Sequence, residues 1–267
     1  MDKYDYIIIG SGASGAAIAE KISSDYKVLI LEKGDYLPLN EAHKGYFRAS
    51  SCKDFEEHGK IEILSGNGVG GATLLAIGNG VRTQEKELKK LGIDIEKQLD
   101  EVERDFEVST VPKDMLGGRT NLFIEKSKEL GYEPKIMPKM IDFKKCKKCG
   151  KCNMGCQFQA KKTSLHYIEN AISKGSELKT NFEALKINKR NKYFEVQGME
   201  KGNLINIPAK NVILSAGALD TPKVLNNSGI MTPKKLFVDI FVTIGGKSNQ
   251  SFKDEINMAA YIPFNDF

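Results

Sequence analysis

Histidine and arginine are scarce in this 267-residue chain: three histidines (His43, His58, His166), and five arginines (Arg48, Arg82, Arg104, Arg119, Arg190) among 40 Lys and Arg residues. The net charge of +5 therefore rests on lysine, and the lysines alternate with glutamates, as in TQEKELKKLGIDIEKQLDEVER. That is the pattern of solvated helix faces. It is not the basic patch with interleaved aromatics that a nucleic-acid groove shows, so nucleic acid is not an expected partner. No run of about 18 apolar residues is present, and no membrane span is expected. The opening MDKYDYIIIG runs straight into strand-like sequence with no room for a leader, which makes a cytoplasmic location the expectation. Internal repeats and low-complexity tracts are also missing. Each histidine reads as a surface or packing residue, so the sequence offers no catalytic base.

What is present begins with buried-strand sequence. Tyr4 to Ile9 (YDYIII) is a short continuous apolar run, as expected of a strand covered on both faces in a parallel sheet. GSGASG follows, then AAIAEKIS with helical spacing, then YKVLILEKG, a second strand ending at Glu32. Gly10, Gly12 and Gly15 thus form G-x-G-x-x-G after a strand and at the start of a helix, with an acid about 20 residues on. The first glycine allows the tight turn, the second lets the backbone approach a pyrophosphate, and the third lets helix and strand pack closely. The helix N-terminus, at Ala13 and Ser14, offers N–H donors to phosphate oxygens. Glu32 is placed to accept ribose hydroxyls, with Lys33 beside it. An adenine dinucleotide is expected, and the motif alone leaves NAD and FAD both open.

Further along, Lys60 to Leu64 reads as a strand, and Thr83–Glu107, Arg119–Leu130 and Ser164–Lys174 read as helices. SELKTNF, ALKINKRN, YFEVQGME and LINIPAK predict a small antiparallel meander. NVILSAG is another buried strand, and DTPKVLNNSG predicts a helix capped by Asp220 or Thr221 with Pro222 in its first turn.

Two stretches narrow the cofactor. GNGVGGATLLAIGNGVR (Gly66 to Arg82) and SAGALDTPKVLNNSGI (Ser215 to Ile230) resemble the two signature segments of the glucose–methanol–choline (GMC) family of FAD-dependent oxidoreductases. The resemblance runs from Tyr4 to about Ile230 in the family's order. It implies an α/β fold: a Rossmann-like FAD-binding domain with a parallel sheet, a small antiparallel meander and the start of a truncated substrate domain. The implied segments are 1–90 and 164–235 for the two FAD-binding parts, 91–163 for a helical insertion with the cysteine-rich loop, and 236–267 for the beginning of the substrate domain. The adenine half of FAD would lie on Gly10, Gly12, Ala13, Ser14, Gly15, Glu32 and Lys33. Gly70, Gly71 and Thr73 would lie along the flavin, and Ala216, Gly217, Thr221 and Pro222 would complete the contacts. Two positions depart from the family pattern: Ala76 stands where many members carry asparagine, and Met231 where a glycine is frequent. The family's C-terminal portion, with its catalytic histidine, has no counterpart in this sequence.

Four of the five cysteines fall within CKKCGKCNMGC, as Cys146, Cys149, Cys152 and Cys156. C-x2-C-x2-C-x3-C is the spacing of a ferredoxin-type iron–sulfur motif, in which soft thiolates converge on one cluster. Gly150 and Gly155 supply backbone freedom for the wrapping. Two features differ from that motif: no second motif exists to exchange ligands with, and Gln157 replaces the usual proline. Either Cys156 bends back as fourth ligand or Cys52 takes that place. A 4Fe–4S cluster, a zinc ion and a metal-free structural loop are the three readings. The lysines from Lys144 to Lys151 read as solvated surface, or as charge offsetting a thiolate cluster or drawing an acidic partner. Lys161, Lys162 and Ser164 resemble an element that follows this loop in some GMC relatives, and read as phosphate or loop-stabilising contacts.

The expected function is oxidation of an alcohol, sugar or related CH–OH substrate, or reduction of an unsaturated one, by bound FAD. Electrons would pass through the cluster to a ferredoxin-like carrier. The alternative is a non-catalytic subunit that binds FAD and cluster, or half of a split enzyme that a second chain completes.

Overall fold

The apolar run after the N-terminus forms β1 (Tyr4–Ile9), the centre of the main sheet. In the computed structural model the chain is described at residues 4–37, 47–52, 61–82, 85–233, 235, 245–247, 249–252 and 254–263, with backbone alone at 47–52 and 61–65. From β1 the chain turns into α1 (Ala13–Ile22) and returns as β2 (Val28–Leu31), parallel to β1 with Tyr6 opposite Val28 and Ile9 opposite Leu31. A hairpin of β3 (Phe47–Cys52) and β4 (Ile61–Gly66) precedes a one-turn 3-10 helix at Gly71–Leu74. The region predicted as one helix over Thr83–Glu107 is two, α2 (Glu85–Lys90) and α3 (Glu96–Asp105). They part at Gly92, whose φ of 77° no regular helix accommodates. Then come β5 (Ser109–Thr110), α4 (Gly118–Glu129), β6 (Lys135–Ile136), β7 (Pro138–Lys139), the cysteine loop and α5 (Leu165–Ser173). β8 (Glu177–Lys179), β9 (Phe182–Lys189), β10 (Phe194–Glu200), β11 (Asn203–Leu214), α6 (Gly217–Asn227) and β12 (Ala260–Tyr261) complete the described elements.

The main sheet has the order β8-β2-β1-β11-β10-β9. β8, β2, β1 and β11 are mutually parallel, and β11, β10 and β9 form the antiparallel meander. The meander and the last buried strand, read from sequence as separate pieces, are one continuous ribbon. Ala209 pairs with Phe194 on the meander side and with Tyr4 on the parallel side, so β11 serves both halves.

Period-2 alternation sorts the core. Ile8, Val28 and Ile30 face Ala16 and Ala19 of α1 and Leu165, Ile168 and Ala171 of α5. Ile7, Ile9, Leu29 and Leu31 point to the other side and meet Phe182, Val196 and Ala209. Each of the Val, Leu, Ile and Phe side chains among them, fully buried, stabilises the fold by about 1.5–3 kcal/mol. A separate core joins Val111, Ile141 and Ala160 to Ile256 and Ala259, and β12 pairs with β6 beside it.

α6 corrects one expectation. Its N-cap is Ala216, ahead of Asp220 and Thr221, and Pro222 lies inside the helix. The carbonyl of Ala218, four residues back, therefore has no helical N–H to accept. Among the described residues no helix is long and apolar enough to cross a membrane.

Candidate functional site

The sheet order reverses at β1: α1 leads to β2 on one side, while β11 lies on the other. Ligands of open α/β sheets bind at such a switch point, outside the C-terminal ends of the strands. The turn after Ile9, the end of β2 at Glu32 and the end of β11 at Ser215 all meet there.

The three motif glycines are held for three different reasons. Gly10 has φ of 97°, and a Cβ on it would stand 2.4 Å from the Ser215 carbonyl oxygen. A Cβ on Gly15 would fall 1.9 Å from the Gly10 carbonyl oxygen, so helix and turn touch backbone to backbone. Gly12 is the opposite case, with nothing within 4 Å of where its Cβ would stand. Gly12 is also the N-cap of α1, makes no side-chain cap bond, and is followed by exposed Ala13 and Ser14 with no acidic residue in the first turn. The arrangement is a helix N-terminus whose donors face open space, the chemistry that suits an anion.

Glu32 is buried and engaged. Its Oε2 accepts from the Ser11 N–H (3.1 Å) and the Ser11 hydroxyl (2.6 Å), and its Oε1 from the Gly34 N–H (2.9 Å). Ser11 Oγ in turn accepts from the Gly70 N–H at 3.3 Å, tying the first turn to the second glycine segment. Gly71 closes that contact: a Cβ on it would lie 2.9 Å from Gly12 Cα. Thr73 does not point away from its own loop, because its hydroxyl donates to the Gly70 carbonyl at 2.7 Å. The Ser164 hydroxyl donates to the same carbonyl at 3.1 Å, and the Ser164 N–H donates to Thr73 Oγ1 at 3.2 Å.

On the β11 side, Ser215 Oγ donates to the carbonyls of Ile9 (3.0 Å) and Gly10 (3.2 Å), which brings Ala216 and Gly217 to the mouth of the crevice. Lys33 pairs with Asp220 across that mouth, and Lys223 bonds Asp220 at 2.9 Å. Thr221 and Pro222 lie farther along α6 than the sequence implied, within the helix.

The cysteine loop forms a second concave site. Cys146, Cys149, Cys152 and Cys156 are half-buried free thiols, and all four line one cavity of about 190 Å³. Lys148, Gly150 and Gly155 take positive φ (53°, 68° and 78°), which curls the backbone around it. The Ala160 N–H donates to Cys156 Sγ at 3.3 Å. Among the described residues no three His, Cys, Asp or Glu side chains stand close enough to grip a single ion. The thiols thus surround a volume well above the ~30 Å³ share of one water rather than a point. Of Cys52 only the backbone is described, so its side chain lies outside the described residues, as do His43 and His58.

Two lysines that the sequence reading left out or underused stand between the two sites. Lys139, on β7, is 0% exposed and Lys161 3%. Lys139 Nζ donates to the Ile77 carbonyl (2.9 Å) and Asn79 Oδ1 (2.6 Å). Lys161 Nζ donates to the carbonyls of Leu74 (2.6 Å), Ala76 (2.6 Å) and Cys152 (2.7 Å). One ammonium therefore ties the turn after Gly71 to the cysteine loop. Burial pushes each lysine down to about 8, and the ionisable groups acting on them in return are cysteines of the loop. Burial pushes the Cys152 thiol up while Lys139 and Lys161 pull against it. Among the described residues neither lysine faces a carboxylate. Of the two readings for Lys161 and Ser164, loop stabilisation fits, and Lys162 instead pairs with Glu107 at 2.6 Å. The one sequence signal for Lys139 was its place between Met137 and Met140 in an apolar stretch.

His166 is a packing residue. Its ring meets Phe106 edge-on at 4.8 Å, its Nδ1 lies 2.6 Å from the Thr163 carbonyl, and its Nε2 is buried without a partner among the described residues.

Comparison with known proteins fits this geometry. The chain is 34% identical over 272 residues to an uncharacterised protein of Methanocaldococcus jannaschii, covering 99% of this chain and 63% of that one. It is 26% identical to a long-chain-alcohol oxidase of Arabidopsis thaliana, covering 86% of this chain and 34% of the oxidase. Among solved structures, pyridoxine 4-oxidase from Mesorbium loti superposes with a TM-score of 0.65 at 15% identity, over 85% of this chain and 52% of that one. Formate oxidase gives 0.62 at 16% identity, over 85% and 48%. The chain thus spans about a third to two thirds of the length of these proteins. The family profile described as GMC oxidoreductase matches residues 4–247. The chain belongs to the GMC oxidoreductase family.

Proposed function

We propose that this chain binds FAD in the crevice at the end of β1 and serves an oxidoreductase acting on a small CH–OH substrate. The observation that carries the reading is the open Gly12 turn at the uncapped start of α1, with Gly71 packed directly on it. The N–H groups of Ala13 and Ser14 hold the pyrophosphate, with Gly10 and Gly15 fixing the turn. Glu32 already accepts three bonds, yet a carboxylate has about four lone-pair sites, leaving capacity for a ribose hydroxyl. Lys33, Ala216, Gly217, Thr221 and Pro222 border the opposite wall, and Gly70, Gly71 and Thr73 shape the flavin end. When bound there, FAD would supply the acceptor for a hydride from the carbinol carbon of the substrate. The long-chain alcohol and pyridoxine named for a relative and a neighbour support a substrate with such a carbon.

The segments 1–90 and 164–235 form the FAD-binding part in this reading, 91–163 the insertion, and 236–267 the start of the substrate domain. Cys146, Cys149, Cys152 and Cys156 would hold a 4Fe–4S cluster in this reading, and the group would supply one-electron transfer to a ferredoxin-like carrier. A cavity lined by four thiols that do not converge on a point favours a cluster over zinc, whose sulfur ligands stand ~2.3 Å from one ion.

Anaerobic purification followed by visible spectroscopy and assay of flavin and iron tests the proposal. Stoichiometric FAD and about four irons per chain, with iron lost in Cys149→Ser, are expected. No flavin uptake after incubation with FAD would sink the FAD reading. Iron near zero, or unchanged by Cys149→Ser, would remove the cluster.

A further inference from the structure

We infer that Lys139 and Lys161 are built-in counter-charges for an anionic 4Fe–4S cluster in the cysteine cavity, and that they raise its reduction potential. This rests on the reading that Cys146, Cys149, Cys152 and Cys156 hold a cluster. The argument starts from an imbalance. Two ammonium groups, 0% and 3% exposed, are buried on the consecutive carbonyls of Ala76 and Ile77 without a carboxylate partner among the described residues. Neutral oxygens accept three N–H bonds from Lys161 and two from Lys139 but leave the charge, and an uncompensated buried charge is strongly destabilising. The same stretch had an ordinary solution to hand. Lys162, one residue on, sits at the surface and pairs with Glu107. Retaining two unpaired buried cations beside four thiols makes sense when the thiols become the anion.

The charges match. Four thiolates outweigh the positive core of an oxidised 4Fe–4S cluster by two, and one-electron reduction adds a third negative charge. Two fixed cations therefore neutralise the oxidised site and favour the reduced one. The Ala160 N–H on Cys156 Sγ acts in the same direction, since donors to cluster sulfur also stabilise the extra electron. Lys161 is placed for a second consequence: its ammonium lies on the carbonyls of both Cys152 and Leu74, so the charge that poises the cluster borders the loop assigned to the flavin.

The test is a potentiometric titration followed by electron paramagnetic resonance on anaerobically purified protein, as wild type and as Lys139→Gln, Lys161→Gln and Lys162→Gln. Iron is assayed on each. At a fixed ambient potential, each buried-lysine variant is expected to show at least about a tenfold lower reduced-to-oxidised ratio, equivalent to about 59 mV for a one-electron couple. Lys162→Gln is expected to match wild type. Glutamine variants that hold full iron at the wild-type potential overturn the counter-charge role while leaving the cluster in place. A wild-type protein without iron overturns the cluster reading itself. Should the glutamine variants not fold, Lys139→Arg and Lys161→Arg decide, since they keep the charge. A ratio within about threefold of wild type supports the inference, and a tenfold change with iron retained overturns it.

Discussion

The glycine turn and the cysteine loop are both ligand-shaped, yet they are balanced in opposite ways. At the turn a single buried charge, the Glu32 carboxylate, is held by neutral donors of Ser11 and Gly34, and what faces open space is neutral backbone N–H at the start of α1. At the cysteine loop two like charges, the Lys139 and Lys161 ammonium groups, are buried on neighbouring neutral oxygens. A site that offers only dipoles to a mobile anion folds at little cost before the ligand arrives. A site that buries two like charges side by side does not, and an anionic occupant contributes to the stability of the surrounding structure. The first design suits a diffusible dinucleotide and the second a resident group.

Substitutions at the turn should sharpen that contrast, beginning with the most severe. Gly15→Ala places a methyl 1.9 Å from the Gly10 oxygen, so the helix must move off the strand. A loss of about 3 kcal/mol or more in urea denaturation is expected, with FAD uptake abolished. Tolerance of the methyl would mean that the close packing is not needed. Glu32→Ala should cost about 1–3 kcal/mol, because the buried N–H of Ser11 loses its acceptor. A stability equal to wild type would show that the turn is not closed by its own charges. Gly12→Ala is the discriminating change. Its methyl meets nothing, and its φ of −67° and ψ of −170° suit alanine, so stability should move by no more than about 1 kcal/mol. FAD affinity should fall about tenfold or more, because the methyl occupies the space assigned to the pyrophosphate. Unchanged affinity in a titration would break the proposed pose.

These differences also mark what sequence could reveal. The turn was legible because its chemistry is local: Tyr4 to Glu32 holds strand, turn, helix and strand in one stretch, and glycine spacing encodes the backbone geometry directly. The unity of the meander with β11 was hidden, because only pairing on both sides of Ala209 shows that one strand serves two partners. Pro222 misled by its usual place in a first helical turn, when the helix had already begun at Gly217. The cysteine spacing is that of a ferredoxin-type motif, but spacing carries no information on the electrostatics around the loop. Lys139 and Lys161 come from separate segments, and apart from the methionines flanking Lys139 nothing in a lysine-rich sequence separates these buried lysines from the many exposed ones. Lys161 and Lys162 are adjacent and chemically identical, yet one is buried on three carbonyls and the other is paired at the surface.

The smallest expected effect probes charge of the exposed kind, as a counterpart to the buried pair. Asp220 joins the mouth of the crevice through Lys33, which follows Glu32, and through Lys223 on its own helix. Burial pushes its carboxyl up, but hydrogen bonds from Lys33 and Lys223 outweigh this and hold it below its ordinary value of 3.8. A carboxylate with a lowered folded value contributes stability that is fully present above the unfolded value and is lost as pH falls through the folded one. Asp220→Asn should therefore cost under about 1 kcal/mol at pH 7, as partly exposed ion pairs do. The difference from wild type should shrink once pH drops below about 4, where the wild-type carboxylate begins to take up its proton. Thermal melts of both proteins at pH 7 and pH 3 make the comparison. A cost of several kcal/mol at pH 7, or a difference that grows on acidification, would mean that Asp220 acts as a buried charge and that the line between the two regions is misdrawn.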